Sequence, residues 1–497
     1  MTDRPSEPFG VLPELADSSA GSSRLRLPPS IDVRLTPRVI QMMDTPTMKR
    51  MRQVSQLGLV SLVYPGATHS RWEHSLGVYG AAIELLTHLR RDERFVRFAT
   101  RDGRDAGRAA EAFLLAALLH DAGHWPFCHP IEDMGALPDG HAALPHEQRV
   151  ETLLRQDAMT TAWSPWRCSR DDVMSILHPA SLTQRRRDGD VQLADDEVAF
   201  YASCLSGPID IDKLDYLQRD SLHAGVPYGR NFDSSRLIAA MQLHPDDALL
   251  AIDAKGRTAA EMMVFGRYVM FSEVYWHHAV RSATAMLQRA MFEMLMATRS
   301  HHRERRDFEI DWCSWADLGD ADWIASFCEM ARQDGRDALR GLADGLFGDV
   351  RRLYKRIGEF SVLSDPLREN DGSTHQRLAR RPYWWLVECS RVLATHLANS
   401  IGRHVDPLEV LIDAPPVKLE VDINMDVVER DGSVRTLGEI SPVVSVLANQ
   451  QFDNHVKRVR VFVTKRLRDE LRERRLGQSH VDERLRRSID QMEADMV

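Results

Sequence analysis

Four residues with good metal-ligating side chains are His74, His120, Asp121 and Asp212. His120 and Asp121 close the apolar run LLAALLHDAGHWPF, residues 114–127, which breaks at Gly123 and Pro126. Burying a carboxylate beside an imidazole at the end of such a helix costs several kcal/mol unless a partner compensates them. A divalent cation is the economical partner. A capped helix end is the bland alternative, because a doublet alone can match by chance. His74 lies where a helical run begins and Asp212 lies in PIDIDKLDYLQRD, so the set grows to two imidazoles and two carboxylates. Mixed nitrogen and oxygen donors suit Mn, Fe, Ni, Co or Zn, with Mg at a second, oxygen-rich position, giving one or two ions. The set has no thiolate, which argues against a structural zinc.

Other residues near these four could handle phosphate and protons. Arg71 precedes His74 by three positions and shares its helical face, where a guanidinium could grip phosphate; a pair with Glu73 or another carboxylate is the alternative. His124, His129 and Glu132 follow the doublet, and His146 opens a helix after Pro145. One histidine there is usually structural. Three beside a metal doublet read as a proton-transfer and phosphate-binding group. Asp212, Tyr216 and Asp220 recur every four residues on one face, flanked by Lys213, while Asp215 and Arg219 form an i,i+4 pair read as structural. Arg267 and Tyr275 share a face further on, and Lys49, Arg50 and Arg52 form either a solvated face or a phosphate site.

The elements that must position these groups are mostly helical. The chain has 497 residues, 43% hydrophobic and 28% charged, which is enough for one large domain with appendages. A net charge of −9 excludes a surface that binds nucleic acid throughout; a local basic site stays open, though nothing indicates one. Six scattered cysteines without a CxxC pair predict a reduced, cytoplasmic protein, and no segment predicts secretion or membrane insertion. Residues 1–28 are expected to be a flexible tail, 31–58 a turn, helix, turn, helix unit, and 184–196 an exposed loop; GALPDGHAALP reads as another loop. Residues 260–300 read as one long helical stretch and 301–405 as a helical extension without assigned function, with Trp312, Trp315 and Trp323 as packing residues. Segments LEVLIDAP, KLEVDINMDVVERDGS and VKRVRVFVT read as strands with a turn at Asp431-Gly432, and TKRLRDELRERRL as a solvated helix.

The ordered segments DTPTMKRMRQVSQLG, YPGATHSRWEHSLGV, LLHDAGHWPFCH, HEQ and DIDKLDYLQRDS resemble the HD-domain metal-dependent phosphohydrolases, whose ligands run H, HD, D. More narrowly, the chain resembles the deoxynucleoside triphosphate triphosphohydrolases, including the animal antiviral enzyme with a sterile alpha motif. The match covers residues 31–230 and weakens towards 290 and in the C-terminal strands. It implies a mainly α fold: a flexible tail (1–28), an HD-domain catalytic core (29–300), a helical extension (301–405) and a small α+β C-terminal subdomain (406–497). The implied reaction is hydrolysis of a dNTP at the α-phosphorus to deoxynucleoside and tripolyphosphate.

The resemblance also implies roles. His74, His120, Asp121 and Asp212 would hold the metal; Arg71, Lys213, Tyr216 and Arg267 would hold the triphosphate. His129 would protonate the leaving 5′-oxygen, supported by His124, His146 and Glu132. Gln56, Leu57 and Asp220 would sense the 3′ side of the sugar, with Tyr275 packed on it. Asp44 and Arg52 match activator-site positions, where Lys49 replaces a glutamine that reads the base. A tetramer or hexamer, control by an activating or inhibiting nucleotide, and depletion of dNTPs in anti-phage defence follow by the same resemblance. Trp125 stands where a glycine is usual and Glu132 where an aspartate is, so the base preference is left open. The alternatives are an HD phosphohydrolase of a monophosphate, a signalling nucleotide or a DNA end, and a non-catalytic nucleotide sensor.

Overall fold

The computed structural model describes residues 9, 12–16, 23–29, 31–136, 145–300, 312–362, 373–379, 381–415, 424–448 and 456–495. The first core is built on helix Ala106–Leu119, whose residues from Ala109 to Leu119 are all buried. A helix that is apolar on every side must be enclosed. Helix Arg71–Leu89 packs along it, and helix Ile211–His223 packs on Arg71–Leu89 in turn. The three helices therefore bring the histidine, the His-Asp doublet and the distant aspartate to one place. Gly77 permits the second of these contacts, since a Cβ there would collide with the Asp215 carboxylate and the Arg219 guanidinium.

The helix does not run on from His120 to His124. It is capped at His120, and Ala122 and His124 donate to the carbonyls of Leu119 and Asp121 in tight turns. A Cβ at Gly123 would strike the carbonyl of His146, which presses this turn onto helix His146–Leu154. Phe127 then takes a left-handed φ of 56° before the short helix Cys128–Glu132. This conformation is uncommon for a bulky residue and re-aims the chain so that His129 follows within one turn.

The stretch 260–300 is interrupted. Helix Arg257–Met270 runs into a π-helical turn, Phe271–Tyr275, and helix His278–Ser300 begins afterwards. The wide turn sets Tyr275 apart from the regular helical face. Helix His278–Ser300 seeds a second core with helices Asp320–Asp334 and Asp337–Phe347, where Trp315 and Trp323 pack; the Trp312 side chain lies outside the described residues.

Among the described residues, the strands are β1 (Ser23–Leu27), β2 (Ile31–Leu35), β3 (Met241–Leu243), β4 (Leu250–Asp253), β5 (Lys355–Phe360), β6 (Val410–Asp413), β7 (Asp426–Val428), β8 (Val434–Thr436) and β9 (Val459–Val463). They form an antiparallel β1-β2 pair, a sheet ordered β3-β4-β7-β8 and a sheet ordered β5-β9-β6. The chain is mainly helical with small sheets, as the sequence predicts. The β7–β8 turn holds Gly432 at φ 85°, the hairpin expected at Asp431-Gly432, while most of KLEVDIN lies outside the described residues, as does much of GALPDGHAALP.

Several boundaries differ from expectation. Within 1–28, Phe9, Leu12, Glu14 and Leu15 are buried and β1 pairs with β2; Glu14 accepts from Arg38 at 2.6 and 2.9 Å, so an ion pair and apolar side chains fasten what composition alone marks as a tail. Residues 182–188 are helical, where a loop was expected, and Arg185 reaches Glu151 at 2.7 Å from that helix. The 301–405 span contributes β5 to the C-terminal sheet, and β7 pairs in parallel with β4 of the core, so packing crosses both expected borders. No described helix is long and apolar enough to cross a membrane.

Candidate metal centre and its histidine neighbours

His74 and His120 face each other through their Nε2 atoms, 3.2 Å apart. The other nitrogen of each ring is occupied. His74 Nδ1 lies 2.8 Å from Asp215 Oδ2 and His120 Nδ1 lies 2.9 Å from the Ala117 carbonyl oxygen. Both partners are acceptors, so both protons belong on Nδ1 and both Nε2 lone pairs point inward. Asp212 Oδ1 stands 2.9 Å from His74 Nε2 and 3.5 Å from His120 Nε2, and Asp121 Oδ1 is 3.5 Å from His120 Nε2. Four electron-pair donors thus converge on one point. His74, His120 and Asp121 form a candidate metal-binding cluster, and Asp212 completes the approach. The donor chemistry fits a divalent cation.

The charges agree. Burial opposes protonation of His74, yet the hydrogen bonds it gives to Asp212 and Asp215 raise it to about 10, so without an ion a proton occupies the place between His74 Nε2 and Asp212 that a cation would take. Burial alone would raise Asp121 and Asp212; the adjoining imidazoles and guanidinium hold both carboxyls well below the usual range, His124 and Arg71 for Asp121, His120 and His74 for Asp212. Asp212 keeps 29% of its side chain exposed, against 2–13% for the other three, so the cluster opens on its side.

A second layer holds the ligands in place. Arg219 clamps Asp215 with Nε at 2.9 Å and Nη2 at 2.7 Å, and gives Nη1 to Glu73 at 2.7 Å, which also pairs with His223 at 3.0 Å. The Asp215–Arg219 pair is present as expected, but its carboxylate also orients His74. Arg71 is buried and pairs with Asp121 at 2.8 Å rather than with Glu73, while its Nε has no protein acceptor. Arg50, read with a surface cluster, donates instead to the carbonyls of Ala122 and His124 at 2.8 and 2.7 Å and fixes the doublet's turn.

The three later histidines gather beside this centre. His124 Nε2 and His129 Nε2 are 3.2 Å apart, and the His124 and His146 rings lie 3.9 Å apart. Glu132 accepts from His146 through both Nδ1 (2.8 Å) and the backbone N–H (2.9 Å). His124 Nδ1 sits 3.1 Å from Asp121 Oδ1, which joins the two groups. Burial and the nearby Arg71 charge push His124 well below the ordinary imidazole range, so it is neutral. His129 alone of the three is exposed.

Among the other predicted residues, Lys213 gives its ammonium to Asp210 at 2.6 Å and the Gly207 carbonyl at 2.9 Å, leaving one N–H. Its charge and that of Arg267 both act on Tyr216, so these three lie together; Arg267 Nε is buried without an acceptor. Asp220 accepts from Tyr275 Oη at 2.6 Å and meets His69 Nε2 at 2.8 Å. Gln56 is tied to the same loop by its N–H to the His69 carbonyl, 2.9 Å, and its Oε1 has no donor; Leu57 is half-buried against the first core. Asp44 and Lys49 pair with each other at 3.4 Å on the surface, while Arg52 lies over the Trp72 ring at 4.3 Å.

His69, Asp210 and His223 stand outside the expected site, as do Asp215 and Glu73, while Arg50, expected on a solvated face or at phosphate, instead holds the doublet's turn. His69 stands five residues before His74 in a quoted motif, the one signal that could have found it. Asp210 acts on Lys213, three residues on, and the rest act through partners far away in sequence.

The sequence pattern described as the HD associated region matches residues 232–484, about half of the chain. The chain belongs to this family. An uncharacterised protein of Methanocaldococcus jannaschii is 24% identical over 449 residues, 89% of this chain and 79% of that one. The human deoxynucleoside triphosphate triphosphohydrolase SAMHD1 is 26% identical over 260 residues, 49% of this chain and 40% of the human protein. A crystal structure of a phosphohydrolase from Bacteroides thetaiotaomicron has the same fold, with a TM-score of 0.62 at 22% identity over 89% of this chain and all of that one.

Proposed function

We propose that this chain is a metal-dependent HD phosphohydrolase that hydrolyses deoxynucleoside triphosphates to deoxynucleoside and tripolyphosphate. The observation that carries the metal dependence is the 3.2 Å approach of the His74 and His120 Nε2 atoms with both Nδ1 atoms occupied. A divalent ion held by His74, His120, Asp121 and Asp212 would polarise a phosphate oxygen and make water more acidic. Support for a triphosphate comes from Lys213, Tyr216 and Arg267, a group larger than a monophosphate needs, and from the relatives named for that activity.

In this reading Arg71 Nε, Arg267 Nε and the remaining Lys213 N–H donate to phosphate oxygens and offset the charge that grows in the transition state. His129 delivers a proton to the departing 5′-oxygen, while Glu132 fixes His146, and His124 remains neutral beside them. Asp220 orients Tyr275 against the sugar, and Gln56 Oε1 accepts from its 3′ hydroxyl. Control by a nucleotide near Asp44, Lys49 and Arg52, and assembly into a tetramer or hexamer, belong to the same proposal. Light scattering with and without dNTPs tests the assembly.

Hydrolysis in 18O-labelled water tests the bond cleaved. Attack at the α-phosphorus places the label in tripolyphosphate; label in the deoxynucleoside, or release of pyrophosphate, sinks the assignment.

A further inference from the structure

Beside the His74–Asp212 centre, four more ligand-type side chains converge: His124, Cys128, His129 and His146 each offer one atom, all within 4.8 Å of one another. At His124 and His146 the pattern of occupied nitrogens is the one seen at the first centre. His124 Nδ1 faces Asp121 Oδ1 at 3.1 Å, His146 Nδ1 faces Glu132 Oε2 at 2.8 Å, and His129 Nδ1 is turned to the same Glu132 oxygen at 3.9 Å. Carboxylates behind the Nδ1 atoms leave the Nε2 lone pairs forward, and two of them, on His124 and His129, meet at 3.2 Å. Glu147 adds a carboxylate oxygen 3.4 Å from His146 Nε2. Cys128 supplies what the first centre lacks, a sulfur, held in place by its N–H to the Trp125 carbonyl at 3.2 Å.

We propose that His124, Cys128, His129 and His146 form a second cation site that takes a borderline-soft divalent ion such as Zn2+. Three nitrogens and one thiolate are a tetrahedral zinc donor set, whereas the two-histidine, two-carboxylate centre prefers harder ions. Around a tetrahedral ion with bonds of about 2.0–2.3 Å, donor atoms stand roughly 3.3–3.8 Å apart, so an inward movement of about an ångström closes the shell. Exposed His129 provides the way in. On binding, the Cys128 S–H bond breaks, a sulfur–metal bond forms and one proton leaves to solvent. Resting on the phosphohydrolase reading, filling this site withdraws the His129 nitrogen from proton transfer and switches hydrolysis off.

Co2+ titration followed by near-ultraviolet absorption tests the site, because only a thiolate ligand gives a sulfur-to-cobalt charge-transfer band. The band is expected in the unaltered protein and in Asp212→Ala, which disables the first centre. It should vanish in Cys128→Ser, with Mn2+ binding to that variant showing that the fold survives. No band at saturating Co2+, or an undiminished band in Cys128→Ser, overturns the proposal whether or not the protein turns over any nucleotide. Zinc should inhibit hydrolysis at a concentration at least 10-fold lower in the unaltered protein than in Cys128→Ser; equal sensitivity overturns the switch.

Discussion

Asp215 Oδ2 holds His74 Nδ1 at 2.8 Å while Arg219 grips both oxygens of the same carboxylate. A ligand fixed in this way keeps its tautomer and direction before any ion arrives, and such supporting carboxylates typically contribute 10- to 100-fold in metal affinity. Asp215→Asn should therefore weaken Mn2+ binding by about 10- to 100-fold, read by calorimetric titration. Unchanged affinity in a folded Asp215→Asn protein would remove Asp215 from the centre.

Gly77 is the point where helix Arg71–Leu89 meets the Asp215–Arg219 pair, both of which are buried. Gly77→Ala inserts a methyl group into a buried ion pair, which displaces charges that have nowhere else to go. The expected loss is roughly 3 kcal/mol or more of stability, measured by denaturant unfolding. A loss below about 1 kcal/mol would show that the helices can separate freely there.

The proton-transfer and phosphate-binding roles separate by kinetics. His129→Ala should lower kcat by about 10²- to 10⁴-fold with Mn2+ binding intact. Arg267→Ala should act on KM as well as kcat, because it removes a donor to the triphosphate before and during reaction. Equal KM and kcat in the Arg267→Ala protein would exclude it from the site.

Glu359 on β5 accepts from Arg460 at 2.9 Å and Arg458 at 2.5 Å. Burial opposes ionisation, but these arginines and Arg356 draw its carboxyl from 4.5 down to about 2. The fold thus gains stability from this group above about pH 4.5 and loses it as pH falls towards 2, because the unfolded chain takes up the proton first. The contribution is roughly 1–3 kcal/mol after allowance for its partial exposure. Unfolding curves between pH 5 and 2.5 should fall more steeply for the unaltered protein than for Glu359→Gln. Parallel curves would contradict the assignment.

The candidate cluster is legible because its residues lie in helical runs whose apolar periodicity fixes their faces. His120 and Asp121 end a helix that has to be buried, and Asp212 repeats at four-residue spacing with Tyr216 and Asp220. The partners behind them were not legible. Asp215 reads locally as one half of a structural i,i+4 pair with Arg219, and nothing nearby says that its Oδ2 meets a histidine 141 positions earlier in the chain. β6, β7 and β9 fall in the segments read as strands, whereas β1 and β5 escape a local reading: β1 alternates (SRLRL) but sits in a stretch whose composition marks a tail, and β5 (KRIGEF) is a strand because distant β9 pairs with it. The interruption at Phe271–Tyr275 is invisible to a pattern that stays apolar through the break.

The most direct test of the account is product identification after incubating Mn2+-loaded protein with each dNTP alone and with all four together. Deoxynucleoside and tripolyphosphate in equal amounts, lost in Asp212→Ala, are predicted; their appearance in the mixture alone would point to nucleotide activation. Nucleoside monophosphate or diphosphate as the product, or no turnover by protein shown to hold its metal, would contradict the account.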